Sequence, residues 1–299
     1  MEKEKSPIAI FAYNRPEHLK LTIRALEKNY YAKDSVVSFF LDGPKKKSDI
    51  KKIYIIKNII EKIKGFKKKK IIFRKKNIGL RKNITLGVSQ ILKTSKKVIV
   101  LEDDMITSKF FLKYMNDGLE IYQNEKKVGC IHGYMYPLKN RKNLKKYFFL
   151  KGADCWGWGT WRRSWMHLNL NSKTLLNKLK KNKLINDFDY NNSYKYAEML
   201  EKNVITKKSW AICWYASLYL KNMYTLNPSS SYVKNIGIDG TGSNCIIDYN
   251  MNSTFEKKYT KLKKITVEED IYIKSLISNF MKNNLSQNFF YKILKFFKI

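Results

Sequence analysis

The sequence predicts an α/β protein: a mostly parallel central sheet flanked by helices, followed by a more irregular second half. Three observations carry that prediction. In the first 125 residues short, nearly continuous apolar runs alternate with segments of helical period, the pattern of strands buried on both faces by crossover helices. Each run ends in polar or charged residues. The chain of 299 residues, 44% apolar with 20 Tyr, 16 Phe and 6 Trp, has material for a large core.

SPIAIFAY (6–13) is the first strand, and Pro16 suits the first turn of a helix over 16–30 that carries Leu19, Ile23 and Leu26 at helical spacing. SVVSFFLDG (35–43) is the second strand, ending in Asp42-Gly43-Pro44, with a helix near 48–62. KKIIFR (69–74) is the third, and Asn77-Ile78-Gly79-Leu80-Arg81 opens a helix to about 93. KKVIVLEDD (96–104) is the fourth, followed by an amphipathic helix over 108–123. Beyond it VGCIHGYMY (128–136) reads as a strand. Residues 173–203 read as polar helix and 209–222 as an apolar helix, and YVKNIGIDGTGSNC (232–245) reads as a glycine-bearing loop. In a parallel sheet ligands sit outside the carboxyl ends of the strands. Those ends carry Asn14-Arg15, Asp42, the Asn77–Arg81 loop and Glu102-Asp103-Asp104.

The net charge of +35 points to an anionic partner. Only 7 of the 60 basic residues are Arg, so the sequence lacks the bidentate forks that sequence-specific nucleic-acid readers use. The four cysteines, at 130, 155, 213 and 245, show no CxxC spacing and read as reduced thiols rather than a zinc site. The histidines at 18, 132 and 167 have no metal spacing and read as structural. No Walker loop or Ser-His-Asp set is visible. The N-terminus has no signal-peptide run, and no apolar stretch reaches transmembrane length.

Three adjacent carboxylates at the end of a buried strand repel one another. A hard divalent cation offsets this: Mg²⁺ or Mn²⁺ takes one or two carboxylates together with the oxygens of a substrate diphosphate. Strand alternation would put Glu102 and Asp104 on one side and Asp103 on the other.

YNRP after the first strand, LDG on the second, NIGLRKN, VLEDD, CWGWGTW and NIGIDGTGSNC, in this order, resemble a glycosyltransferase of the GT-A fold, family 2 in type, with an EDD variant of the DxD motif. The resemblance covers most of residues 6 to 245. It implies that Asp104 binds Mn²⁺ or Mg²⁺ bridging the two phosphates of a nucleotide-diphospho-sugar, a UDP-sugar first. Asp103 and Glu102 would contact ribose or donor sugar. Asn14, Arg15 and Asp42 would frame the nucleotide, and Arg81, after the Gly79 turn, would reach the diphosphate. Trp156 and Trp158 would face the acceptor. The resemblance also implies inversion at the anomeric carbon, hence a general base, with Asp154 first and Asp239 second. The pattern departs at Ala211, where an acid is usual, and at Asn244, where a histidine is usual.

On this reading residues 1–254 are one GT-A domain, with 1–125 the nucleotide half and 126–254 the acceptor half; 255–299 form a basic helical tail. The enzyme would be a hexosyl- or N-acetylhexosaminyl-transferase of surface polysaccharide or lipo-oligosaccharide synthesis. It would act in the cytoplasm on a saccharide or lipid-linked acceptor. The tail NFFYKILKFFKI (288–299) would touch an anionic membrane surface. The alternatives are a nucleotidyltransferase, which also uses carboxylates and Mg²⁺ but lacks its phosphate loop here, and a basic nucleic-acid-binding protein, whose affinity would ignore the acids.

Overall fold

The computed structural model describes residues 4–138, 144–239, 251, 253, 255–256 and 258–296, with side chains in the last helix described through residue 283. Its centre is an eight-stranded sheet of order β3-β2-β1-β4-β8-β6-β9-β7. The strands are β1 (Ile8–Ala12), β2 (Val36–Leu41), β3 (Lys68–Phe73), β4 (Lys97–Glu102), β6 (Val128–His132), β7 (Tyr147–Lys151), β8 (Trp158–Trp161) and β9 (Tyr224–Pro228). A two-stranded sheet pairs β5 (Met105–Thr107) with β10 (Val233–Asn235) antiparallel.

The first four strands are mutually parallel, joined by α1 (Pro16–Glu27), α2 (Lys47–Glu61) and α3 (Leu80–Thr94). Their alternating side chains feed two cores, which is why the runs are apolar throughout rather than every second residue. Ile8, Ile10 and Leu101 pack with α1, α2 and α4 (Phe111–Ile121) on one face. Ala9, Phe11, Phe40 and Val100 pack with α3 on the other. Strand order reverses between β1 and β4, because β2 and β3 lie outside β1 while the chain returns to β4 on its inner side. Such a reversal opens a crevice at the carboxyl edge, the usual ligand position of open α/β sheets.

The second half completes the sheet in a way periodicity alone does not reveal. CWGWGTW was expected to be an acceptor-facing segment. Instead Trp158–Trp161 is β8, antiparallel to both β4 and β6 and in the middle of the sheet. Trp158 is 1% exposed, stacked 5.3 Å from Trp210 and tilted against Trp165 of α5 (Arg162–Trp165) at 5.7 Å. The strands β7 and β9 are further elements for which the sequence carries no clear period-2 signal.

A third core joins α6 (Ser172–Lys181), α7 (Ile185–Phe188), α8 (Tyr196–Thr206) and α9 (Ala211–Leu220) with the start of α10 (Ile271–Phe296). Ile273, Ile277 and Met281, one turn apart, bury one ridge of α10 in it. The segment expected as a separate tail from 255 is therefore docked at least as far as residue 281. The aromatic stretch of the expected membrane contact, 288–299, falls where no side chain is described. Among the described residues no helix is long and apolar enough to cross a membrane.

Lys274 fixes this docking. It is 5% exposed, and its ammonium donates to Glu269 Oε2 at 2.9 Å and to Asp187 Oδ1; Glu269 Oε1 in turn accepts from the Lys151 backbone N–H at 3.0 Å. Burial opposes the charge, but the bonds to Asp187 and Glu269 outweigh it and raise the lysine pKa. Lys274→Met strands both carboxylates and is expected to cost about 3 kcal/mol, read from the urea midpoint. A loss below about 0.5 kcal/mol would show that apolar packing alone holds α10.

Candidate active site

The acids of VLEDD and the arginine of YNRP meet at the β1/β4 crevice. Arg15 is the N-cap of α1, with Pro16 at the first helical position, and its backbone is non-helical at φ −116° and ψ 76°. One guanidinium nitrogen, Nη2, donates to Asp104 Oδ2 at 2.7 Å and to Asp103 Oδ1. The expectation that Asp103 and Asp104 face opposite sides fails. β4 ends at Glu102 and a turn follows, so strand alternation stops one residue too early and both aspartates swing onto Arg15.

Backbone contacts hold the corner. Thr22 Oγ1 of α1 donates to the Asp103 carbonyl at 2.8 Å, and the Ile236 N–H donates to the Asp104 carbonyl at 2.9 Å. Gly237 then crosses directly over the pair: a Cβ there would lie 2.1 Å from Asp104 Oδ2 and 2.8 Å from Arg15 Nη1. Only glycine permits so close an approach.

The electrostatics follow from crowding. Burial, then the neighbouring Asp104 and Asp103 carboxylates, push Glu102 up to about 8 against the pull of Arg15. Burial pushes Asp103 up to about 6, Arg15 opposing it and Asp104 adding to it. Burial disfavours the Arg15 charge, but the two aspartates more than offset this and hold the guanidinium above its ordinary range. At this corner two buried polar atoms keep no hydrogen-bond partner among the described residues: Asp104 Oδ1 and Arg15 Nη1. A carboxylate oxygen lacking a donor suits a cation, and a guanidinium N–H lacking an acceptor suits a phosphate oxygen. Side by side they fit a divalent ion carried on a diphosphate.

The other predicted residues divide into neighbours of this corner and parts of its scaffold. Asp42 is 4% exposed and spends its carboxylate on backbone: Oδ1 accepts from Gly43 and Ile78 N–H, each at 2.9 Å, and Oδ2 from Gly79 N–H at 2.9 Å. It shapes the loop into α3 through these bonds. Asn14 donates to Asp49 Oδ1 at 2.8 Å, and Tyr13 donates its hydroxyl to Asp49 Oδ2 at 2.6 Å. Those bonds hold Asp49 below the usual carboxylate range, and burial followed by Asp49 pushes Tyr13 up to about 12. Arg81 was expected at the diphosphate. Its donors instead reach the Lys207 carbonyl at 2.6 Å and the Leu170 carbonyl at 2.7 Å, tying α3 to the helical second half. Asp239, exposed, lies 3.1 Å from His18 Nε2, two residues beyond Gly237.

Asp154 lies on the same edge. Register aligns Val100 of β4, Trp158 of β8 and His132 of β6, so His132 is two strand spacings, about 10 Å, from Val100, two residues before the β4 end. His132, read from the sequence as structural, is 1% exposed. Its Nδ1 is 3.1 Å from Asn227 Oδ1 and its Nε2 is 3.7 Å from Asp154 Oδ1. The Asn227 amide nitrogen donates to the Thr225 carbonyl at 2.8 Å, which orients its oxygen toward the ring and places the imidazole proton on Nδ1. Nε2 is the ring nitrogen that faces the Asp154 carboxylate. Trp156 is half-buried, edge-on to Tyr134 at 4.6 Å, and is the tryptophan of the motif left partly accessible; Trp158 belongs to the core. Ala211 opens α9 beside the tryptophan cluster. Asn244 lies outside the described residues. Sequence reasoning missed Asp49, His132 and Gly237, and only Gly237, inside a glycine-bearing loop, carries a local signal.

No family model matches the chain, and no curated protein matches it. Among solved structures, S. aureus TarS aligns with 77% of this chain and 36% of its own, at 14% identity and a TM-score of 0.41. S. aureus TarS 1–349 in complex with UDP aligns with 77% of this chain and 59% of its own, at 14% identity and 0.40. The mannosyltransferase PcManGT from Pyrobaculum calidifontis, in complex with GDP-Man and Mn²⁺, aligns with 48% and 38%, at 11% identity and 0.28. The chain thus spans less than two thirds of each of these proteins.

Two outcomes are expected. Glu102 and Asp103 titrate higher folded than unfolded, so the metal-free fold binds protons that the unfolded chain releases. Their contribution to stability is therefore fully present below about pH 4 and is lost as pH rises toward about 8. Glu102→Gln removes the upper part of that slope; equal slopes of urea midpoint against pH in wild type and variant would contradict it. Gly79, at φ 79° and ψ 154°, occupies a region nearly closed to other residues, while a Cβ there meets nothing within 4 Å. Gly79→Ala should therefore cost about 1–3 kcal/mol through backbone strain alone, measured by thermal denaturation.

Proposed function

We propose that this chain is a metal-dependent glycosyltransferase of GT-A type that moves a sugar from a nucleotide-diphospho-sugar to a saccharide or lipid-linked acceptor. The observation that carries the reading is that Asp104 Oδ1 and Arg15 Nη1, buried at the β1/β4 crevice, have no partner among the described residues. One atom calls for a cation and the other for a phosphate oxygen. The chain's +35 charge suits the same anionic donor.

Asp104 would hold Mn²⁺ or Mg²⁺ through Oδ1. When bound, that ion supplies positive charge against the departing nucleoside diphosphate. Arg15 donates Nη1 to a diphosphate oxygen while Nη2 keeps Asp103 and Asp104 in register. Glu102 and Asp103 border the ribose and donor-sugar side. Trp156, with Tyr134 edge-on behind it, offers an aromatic face to an acceptor sugar. Asp154 accepts the proton of the acceptor hydroxyl, with the His132 imidazole beside it. A base on the acceptor side, facing the donor across the edge, suits single displacement with inversion. UDP is the first donor nucleotide to test. Surface polysaccharide synthesis at the cytoplasmic membrane face is the setting we assign, with the 288–299 tail as one contact.

Calorimetric titration with UDP, GDP, dTDP and CMP, with Mn²⁺ and then with EDTA, tests this. One nucleotide should bind in a metal-dependent manner, with Asp104→Asn weakening it at least tenfold, about 1.4 kcal/mol. No binding of any nucleotide by the folded wild type would overturn the reading.

A further inference from the structure

The positive charge is concentrated in one part of the fold. Residues 45–76 carry fifteen basic and two acidic side chains, a net +13 of the chain's +35 in 32 of 299 residues. They form α2, the edge strand β3 and the flanking turns. Asp49 is buried under Tyr13 and Asn14, and Glu61 lies 3.8 Å from Lys57. The face presented to water is almost purely cationic.

That face is also apolar. Five of the fourteen exposed large hydrophobic side chains of the described residues stand in it: Ile50 (56% exposed), Tyr54 (62%), Ile55, Ile71 and Phe73 (47%). Ile50 and Tyr54 are one turn apart on α2, with exposed Lys47, Lys51 and Lys57 around them. Ile71 and Phe73 share a face of β3 with Lys69, whose amine bonds the Ile60 carbonyl at 3.1 Å and the Ile63 carbonyl at 3.0 Å at the end of α2. They therefore point to the side of the sheet that α2 covers. The helix α2 starts, and β3 ends, at the carboxyl edge.

Edge-strand lysines block pairing with another sheet, a need that Lys68 and Lys70 meet. It does not account for the lysines of α2, nor for isoleucine, tyrosine and phenylalanine left in water between them. A nucleic-acid surface would favour arginine and stacking aromatics; here Arg74 is one of fifteen cations and three of the five exposed apolar side chains are isoleucine. Lysine interleaved with aliphatic and aromatic side chains on one face matches a bilayer interface.

We propose that the α2–β3 face docks on an anionic lipid bilayer, its lysines against the headgroups and Ile50, Tyr54, Ile71 and Phe73 in the interfacial region. Docking needs no sugar transfer and is independent of the proposed activity. It would bring the carboxyl edge, and with it the β1/β4 crevice, close to the membrane.

The test is sedimentation of the full chain with phosphatidylcholine vesicles, with or without about 30 mol% phosphatidylglycerol, near 0.1 M salt. Wild type is expected to bind only the anionic vesicles. Neutralising one lysine weakens such a partition about fivefold, so Lys51→Glu with Lys52→Glu should weaken it at least about 25-fold. Ile50→Ser with Tyr54→Ser, which leaves every charge in place, should weaken it about tenfold or more. Ile205→Ser on α8, 86% exposed, is the matched control and should bind as wild type. All four positions other than the control are exposed, and circular dichroism checks that each variant is folded. Wild-type binding by both double variants would overturn the proposal. So would undiminished binding by the apolar variant together with equally tight binding of a single-stranded oligonucleotide, the behaviour of a general polyanion surface.

Discussion

One guanidinium reconciles the acidic corner with burial. Three consecutive carboxylates end a strand in the interior edge of an open sheet, and desolvating each unpaired would cost about several kcal/mol. Arg15 reaches two of them with a single nitrogen because β1 and β4 are adjacent and parallel, which puts the residue after β1's end beside the turn after β4. The rest of the corner is arranged around that contact. Pro16 starts α1 so that Arg15 is its cap, Thr22 of the same helix bonds the Asp103 carbonyl, and the β5–β10 ribbon brings Gly237 across the top. Among the described residues the compensation leaves one carboxylate oxygen, Asp104 Oδ1, and one guanidinium nitrogen, Arg15 Nη1, without a partner.

Acids at neighbouring strand ends serve opposite purposes. Asp42 and Asp49 are buried and accept three and four hydrogen bonds from backbone and side-chain donors, which hold their loops in place. Glu102 and Asp103 are held above the ordinary carboxylate range, in surroundings that disfavour their charge without a further cation. What separates the groups is donor supply. Asp42 faces the N–H groups of a glycine turn, whereas the β4 acids face one another. Two strands away in the second half a buried imidazole, His132, borders Asp154.

The asymmetry of the surface is consistent with this arrangement. The edge beyond β2 is short, cationic and dotted with exposed apolar side chains, while the opposite edge is covered by the helices of the third core and by α10. One end of the sheet is sealed by packing and the other is left for an external partner.

The sequence by itself determined the parallel half. Buried strands in such a sheet must be apolar at every position, and their carboxyl ends must fall on one edge, so Arg15, Glu102, Asp103 and Asp104 were legible as a group before any coordinates. Periodicity is a local property and carried that far. It did not reveal that CWGWGTW supplies an antiparallel central strand, since tryptophans that stack on a sugar and tryptophans that stack on Trp210 look alike in one dimension. Nor did it reveal that Arg81 is spent on Leu170 and Lys207, that Asp103 and Asp104 turn to the same side, or that His132 meets Asp154. Each of these depends on contacts between residues dozens of positions apart, and only the tertiary structure decides which donors reach which acceptors once the chain has closed.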